Sequence, residues 1–329
     1  MTAGTALDAT TMPAPVPAIR VRGLRKSYGD QVVLDGIDLE VPDGTVFALL
    51  GPNGAGKTTA VHILTTLITA DAGEVVIGGH DVAREPDAIR GLIGLTGQVS
   101  AVDGQFTGEE NLRLMADLHH LGRETARRRV ADLLERFDLV EAAGKQAMTY
   151  SGGMRRRLDL AMTLVGQPRI IFLDEPTTGL DPRSRRVMWD IVGELVAEGV
   201  TILLTTQYLE EADRLADRIA LLDGGRVVAQ GTPAELKRLV PGGSIRLEFG
   251  DEPTLERAVA ALDVGSRDDK ALALELPSDG RVRSLRAVLD RLDAGSIEVE
   301  GLSVRSADLD DVFLSLTGRP REDAEVPQP

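Results

Sequence analysis

Apolar and polar positions alternate as soon as the chain leaves its first prolines. Ile19-Arg20-Val21 has the period of a half-buried strand, and Val32-Val33-Leu34 follows a turn signal at Gly29-Asp30. Pro42-Asp43-Gly44 marks a second turn, after which Val46-Phe47-Ala48-Leu49-Leu50 is unbroken apolar sequence, the pattern of a strand covered on both faces. A glycine-rich loop follows, and the spacing then predicts a helix over about 57–68. The stretch of about 100–166 reads as helical. Thr107 and Glu110 have the spacing of a capping box, and Val130, Leu133, Leu134 and Phe137 form an amphipathic stripe. Strands return at 170–174, 201–205 and 219–222, with helical sequence between them. The expected core is an α/β domain with a mostly parallel sheet and an inserted helical subdomain.

Beyond Pro241-Gly242-Gly243, which reads as a linker, two periods alternate again. Ile245, Leu247 and Phe249 have period two, as do Leu272, Leu274 and Leu276. Leu285, Val288, Leu289 and Leu292 have helical spacing, as do Leu309, Val312, Phe313 and Leu316, with Gly318 placed to cap the last helix. A small C-terminal α+β domain over 244–318 is expected. Residues 1–17, with three prolines and one charge, read as a disordered arm, and the polar tail 319–329 likewise.

Composition removes several function classes. The 37 basic and 52 acidic residues give a net charge of −15, the wrong sign for tracking a phosphate backbone. One Trp, three Tyr and six Phe are too few for single-strand stacking platforms, so no nucleic-acid partner is expected. The absence of cysteine excludes disulfides, thiolate metal sites and cysteine nucleophiles together. No apolar run approaches the ~18 residues that cross a bilayer, and the first residues lack the basic start and apolar stretch of a signal peptide.

The chemistry concentrates in a few motifs. Gly51, Pro52, Asn53, Gly54, Ala55, Gly56, Lys57 and Thr58, followed by Thr59, form a complete phosphate-binding P-loop between a predicted strand and a predicted helix. Its glycines let backbone N–H groups curl around phosphate oxygens and the helix N-terminus adds a favourable dipole. Lys57 supplies a point charge and Thr58 a magnesium ligand. Such a loop needs an acid at a neighbouring strand end, and Ile170–Leu173 runs into Asp174-Glu175. Asp174 is the candidate magnesium ligand and Glu175 the candidate to polarise the attacking water. Ser151, Gly152 and Gly153, at the start of a further helix, offer a second anion cradle.

Taken with Gln98 and the loop Thr178-Gly179-Leu180-Asp181, these motifs resemble the ATP-binding subunit of an ABC transporter over about 19–230. Gly94-Leu-Thr-Gly-Gln98, Tyr150-Ser-Gly-Gly-Met-Arg-Arg-Arg-Leu-Asp159, Leu204-Thr-Thr-Gln-Tyr-Leu-Glu-Glu-Ala-Asp213 and Leu309-Asp-Asp-Val-Phe-Leu-Ser-Leu-Thr-Gly318 resemble the daunorubicin/doxorubicin-resistance ATPase subfamily. The resemblance implies a P-loop NTPase of ABC type over 18–240, with ATP and Mg2+ as ligands and a C-terminal accessory domain over 244–318. It places Tyr28 against adenine, Gln98 beside magnesium and the water, and Ser151 to Gly153 on the γ-phosphate of ATP held by a second copy. Asp181 would link the two sites across that interface. A homodimer closed by two ATP molecules, a separate membrane permease and a peripheral location on the cytoplasmic face of the membrane follow from it. So does export of a hydrophobic, anthracycline-like drug.

Two positions depart from the usual pattern. Met154 stands where many members have glutamine. Gln207 stands where most have a histidine facing the γ-phosphate, and the four histidines (62, 80, 119 and 120) lie elsewhere. Gln207 can donate an amide hydrogen bond to phosphate but cannot titrate, which leaves water activation to Glu175. The competing readings are a nucleotide-dependent switch with little hydrolysis, or a cassette moving another cargo such as a lipid. A DNA-end ATPase would need a long coiled coil between Lys57 and Ser151, for which there is no room, and a ribosome-acting protein usually carries two P-loops.

Overall fold

The computed structural model describes residues 17–240, 243–263, 265–278, 281–305 and 308–318. The expected arm up to residue 16, the tail from 319 and residues 241–242 of the expected linker lie outside the described residues. The chain separates into two compact units. Among the described residues, one comprises those up to Leu49, Asn53–Thr206 and Gly224–Arg226; the other comprises Leu50–Pro52, Gln207–Asp223 and those from Val227 onward.

In the first unit the elements run β1 (Ile19–Tyr28), β2 (Gln31–Val41), β3 (Val46–Leu50), α1 (Lys57–Leu64), β4 (Ala72–Ile77), β5 (His80–Asp81), α2 (Pro86–Arg90) and β6 (Ile93–Thr96). They continue with α3 (Gly108–Leu118), α4 (Arg123–Arg136), α5 (Gly152–Thr163), β7 (Ile170–Asp174), α6 (Pro182–Ala197) and β8 (Thr201–Thr206). Strands β3, β8, β7 and β6 are neighbours in that order, with β6, β7 and β8 paired in parallel. Every residue of β3, β7 and β8 is buried, including the polar Asp174, Thr201, Thr205 and Thr206 that flank the apolar runs of β7 and β8. A second, antiparallel sheet has the order β2-β1-β4-β5.

The helical insert forms as its sequence dictates. Thr107 and Glu110 cap α3 reciprocally, and α4 buries Val130, Leu133 and Leu134, with Phe137 buried just beyond it. The helix after the P-loop is shorter than the expected 57–68. It ends at Leu64, where the Thr65 hydroxyl bonds back to the Val61 carbonyl at 2.8 Å and Thr66 turns to a φ of 63°.

In the second unit α7 (Leu209–Leu215) precedes the neighbouring strands β9 (Arg218–Asp223) and β10 (Arg226–Gly231), then α8 (Pro233–Lys237). Next come β11 (Gly243–Glu248), α9 (Glu252–Leu262), β12 (Ser266–Asp268), β13 (Ala273–Ser278), α10 (Val282–Ala294), β14 (Gly301–Arg305) and α11 (Leu309–Thr317). The six elements from β11 to β14 form a β-α-β-β-α-β motif with antiparallel pairings and spatial order β12-β13-β11-β14. Ile245, Leu247, Leu274 and Leu276 line one sheet face and pack with Leu255, Leu262 and Leu292 of the helices. The last helix, capped by Gly318 in the left-handed conformation, lies against α7 and α8. One boundary between the compact units falls between Thr206 and Gln207.

Candidate functional site

The loop between β3 and α1 is shaped by two glycines. Gly54 has a φ of 78°, and Gly56, the N-cap of α1, a φ of 105°. A Cβ on Gly56 would sit 2.6 Å from Leu34 Cδ2 and 2.9 Å from the Val33 carbonyl, so only glycine fits. No side chain caps α1, and a helix N-terminus of this kind suits an anionic ligand.

Lys57 and Thr58 open α1 and face the end of β7. Lys57, 4% exposed, places its Nζ 3.5 Å from Glu175 Oε1. Burial pushes its ammonium below the ordinary lysine value, and Glu175 and then Asp174 oppose that shift. Thr58 Oγ1 donates to Asp174 Oδ1 at 3.4 Å. Asp174 and Glu175 are 2% and 8% exposed, the burial that paired carboxylates tolerate only with compensation. Glu175 also has a φ of 47°, uncommon for a residue with a side chain. Its Oε2 accepts from the Gln98 amide at 3.4 Å and from the Thr178 hydroxyl at 3.3 Å.

Thr205 holds this strand end in place, although its sequence gave no sign of it. Its hydroxyl donates a short bond to Asp174 Oδ1 and accepts the Glu175 N–H at 3.0 Å, while its carbonyl accepts the same N–H at 3.2 Å. Lys57, Thr58, Gln98, Asp174 and Glu175, drawn from three segments, thus meet at one place.

Ser151, Gly153, Asp181 and Tyr28 sit on other segments. Ser151 caps α5, its Oγ accepting the Met154 N–H at 3.2 Å, and Ser151 and Gly152 are exposed. A Cβ on Gly153 would come within 2.4 Å of Ser184 Oγ, so the start of α5 presses against the start of α6. Asp181 is the N-cap of α6, accepting from the N–H groups of Arg183 and Ser184 and from the Ser184 hydroxyl at 2.6 Å. That hydroxyl and the backbone donors hold its carboxyl below the ordinary range. Tyr28, 52% exposed, ends β1 with Lys26 Nζ 5.5 Å from its ring centroid. Gln207 follows β8 directly and is half-buried.

A parallel sheet, a P-loop on a helix N-terminus and an acid pair at the adjoining strand end define a nucleoside-triphosphatase. The ABC transporter family model matches residues 34–178. A daunorubicin resistance ATP-binding protein of Streptomyces coeruleorubidus is 51% identical over 311 residues, covering 94% of this chain and 98% of that protein. A daunorubicin/doxorubicin resistance ATP-binding protein of Streptomyces peucetius is 47% identical over 315 residues, covering 94% and 95%. A solved ATP-binding subunit of an ABC transporter superposes with a TM-score of 0.61 at 31% identity, covering 68% of this chain and 92% of that one. The chain belongs to the ATP-binding subunits of ABC transporters, ATPases coupled to transport. Among the described residues no helix is long and apolar enough to cross a membrane.

Proposed function

We propose that the chain drives export of a hydrophobic drug through a separate permease, hydrolysing Mg-ATP at two sites shared between two copies. The observation that carries the catalytic part is the convergence of Lys57, Thr58, Gln98, Asp174 and Glu175 at the end of β7. Thr58 and Asp174 offer adjacent hard oxygen donors that suit Mg2+, with Gln98 one contact away through Glu175. A Mg2+ ion held there would neutralise phosphate charge. Lys57 binds the nucleotide phosphates, and the backbone N–H groups of Asn53 to Thr59 cradle them. Glu175 orients and polarises the attacking water, with Gln98 and Thr178 fixing its carboxylate. Gln207 positions the nucleotide through its amide, and Tyr28 stacks on the base.

One P-loop and one Ser151-Gly152-Gly153 turn per chain support a homodimer in which each turn grips the γ-phosphate held by the other copy. Asp181, at the cap that the turn packs beside, links the two sites. The names of the relatives support drug efflux. In this reading residues 18–240 are the ATP-binding domain and 244–318 an accessory domain. The permease, contacted around Gln98 and the helical insert, would hold the protein peripherally on the cytoplasmic face of the membrane.

Light scattering of Glu175→Gln tests both halves. The variant is expected to lose ATP turnover and to shift from monomer to dimer on adding Mg-ATP. Unchanged turnover would reject the role of Glu175. A monomer at saturating Mg-ATP would reject the self-sufficient dimer.

A further inference from the structure

The run Arg155-Arg156-Arg157 has the sequence appearance of a solvated basic face, yet the middle arginine turns inward. Arg155 donates to the carbonyls of Ala147 and Met148 from the side of α5, and Arg157 donates to the Phe137 carbonyl and to Asp138. Arg156 is 9% exposed. Its Nε donates to the Pro176 carbonyl at 2.9 Å, its Nη2 to the Asp174 carbonyl at 3.1 Å and its Nη1 to the Gly97 carbonyl at 2.7 Å. One turn further along α5, Asp159 is 3% exposed. It accepts from Arg156 Nη1 at 3.3 Å and, through its other oxygen, from the Ala101 N–H at 3.2 Å.

The placement of these bonds is selective. Asp174 and Pro176 are the residues on either side of Glu175. Gly97 and Ala101 bracket Gln98. A guanidinium presents its donors in a fixed planar fork, so Arg156 holds the backbone on both sides of Glu175 and on one side of Gln98 in a single geometry, with Asp159 holding the other side. A buried ion pair is an expensive way to fill space, since apolar side chains of similar volume are commonly as stable or more so. The pair sits on the same rigid helix whose first turn is Ser151-Gly152-Gly153.

We propose that Arg156, braced by Asp159, is a positioning residue for ATP hydrolysis. It fixes the backbone that carries Gln98 and Glu175 to helix α5, so that displacement of the Ser151 turn is transmitted to both. This rests on the reading of Glu175 and Gln98 given above. In a two-copy arrangement it lets the γ-phosphate gripped at one site set the alignment of the water-activating carboxylate at the other.

The test replaces the pair by apolar groups of similar size, Arg156→Met with Asp159→Leu, which leaves no unpaired buried charge. Three quantities are measured on the full chain: thermal stability, kcat and KM for Mg-ATP, and hydrogen exchange of the segments 97–101 and 174–178. The expected result is a folded protein with faster exchange in both segments. Its kcat should fall on the order of tenfold to a hundredfold, the penalty of a misplacement of about 1 Å, with KM changed by less than about threefold. Arg156→Lys should be intermediate, because one ammonium cannot span three carbonyls. Wild-type exchange in both segments would overturn the proposal, and so would faster exchange with kcat within about twofold of wild type. If the double variant does not fold, Arg156→Lys decides by the same criteria. Glu175→Gln separates the two readings: normal turnover there would reject the catalytic assignment, while the exchange data would still judge the tether.

Discussion

Thr205→Val removes one hydroxyl from the most enclosed part of the site and keeps the shape of the side chain. In the native protein that hydroxyl donates to Asp174 Oδ1 and accepts the Glu175 N–H. The N–H is not orphaned by the change, because the Thr205 carbonyl also accepts it at 3.2 Å. The loss therefore falls on Asp174, which is 2% exposed and retains from Thr58 only a long contact of 3.4 Å. A buried hydrogen bond to a charged acceptor contributes ~1.5–3 kcal/mol, so a destabilisation of about 2 kcal/mol is expected. At roughly 2–4 °C per kcal/mol for a unit of this size, Tm should fall by roughly 4–8 °C in a calorimetric scan. ATP turnover should fall about tenfold, because Asp174 and the left-handed backbone of Glu175 lose a common anchor. Thr201→Val is the matched control. Thr201 is equally buried at the other end of β8, where its hydroxyl accepts from Gly44 N–H at 2.8 Å and donates to Asp43, and its loss should lower Tm without lowering kcat. A Tm for Thr205→Val within about 1 °C of wild type, or a kcat loss no larger than that of the control, would refute the reasoning.

Gly153→Ala drives a Cβ to within 2.4 Å of Ser184 Oγ and 2.9 Å of Ser184 Cβ. It should cost ~1–3 kcal/mol in urea unfolding and abolish turnover, while filter binding shows ATP still held by the P-loop. Asp181→Ala removes a cap whose carboxyl is held below the ordinary range by the Ser184 hydroxyl and backbone donors. With a depressed folded-state value, its stabilisation is present above the ordinary carboxylate range and lost as pH falls through the folded value. The Tm gap between wild type and Asp181→Ala should accordingly be widest near neutrality and close in acid; a gap independent of pH would contradict this.

What the chain reveals of itself depends on how local the cause is. Strands β3 and β7 were legible because burial on both faces leaves an apolar run of four or five residues, and β8 showed the same signal only at its centre, Ile202–Leu204. The Thr107–Glu110 cap was legible because its two bonds span three residues. Strand β4 was not, since the polar and small residues Ala72, Gly73 and Glu74 are exposed and only Val75 and Ile77 are buried. The strand order of the β11–β14 sheet arises from pairings distant in sequence, which periodicity does not encode. The same limit hid two site residues. Thr205 is an ordinary strand residue until β7 and β8 are laid side by side. Arg156 is one arginine of three, and its only local signal was Asp159, an acid among Leu158, Leu160, Ala161 and Met162, all buried.

The packing of α11 against α7 and α8 bears on how the protein can be cut. Leu309 and Val312 are 3% and 2% exposed on that helix, so a chain ended near residue 240 would not merely shed an appendage. It would leave the flank of the segment that follows Gln207 bare, an apolar scar prone to self-association. Excising the sheet while retaining the final helix on a short flexible graft would spare that flank. The distinction decides whether a truncated protein reports on the accessory domain or only on its own aggregation.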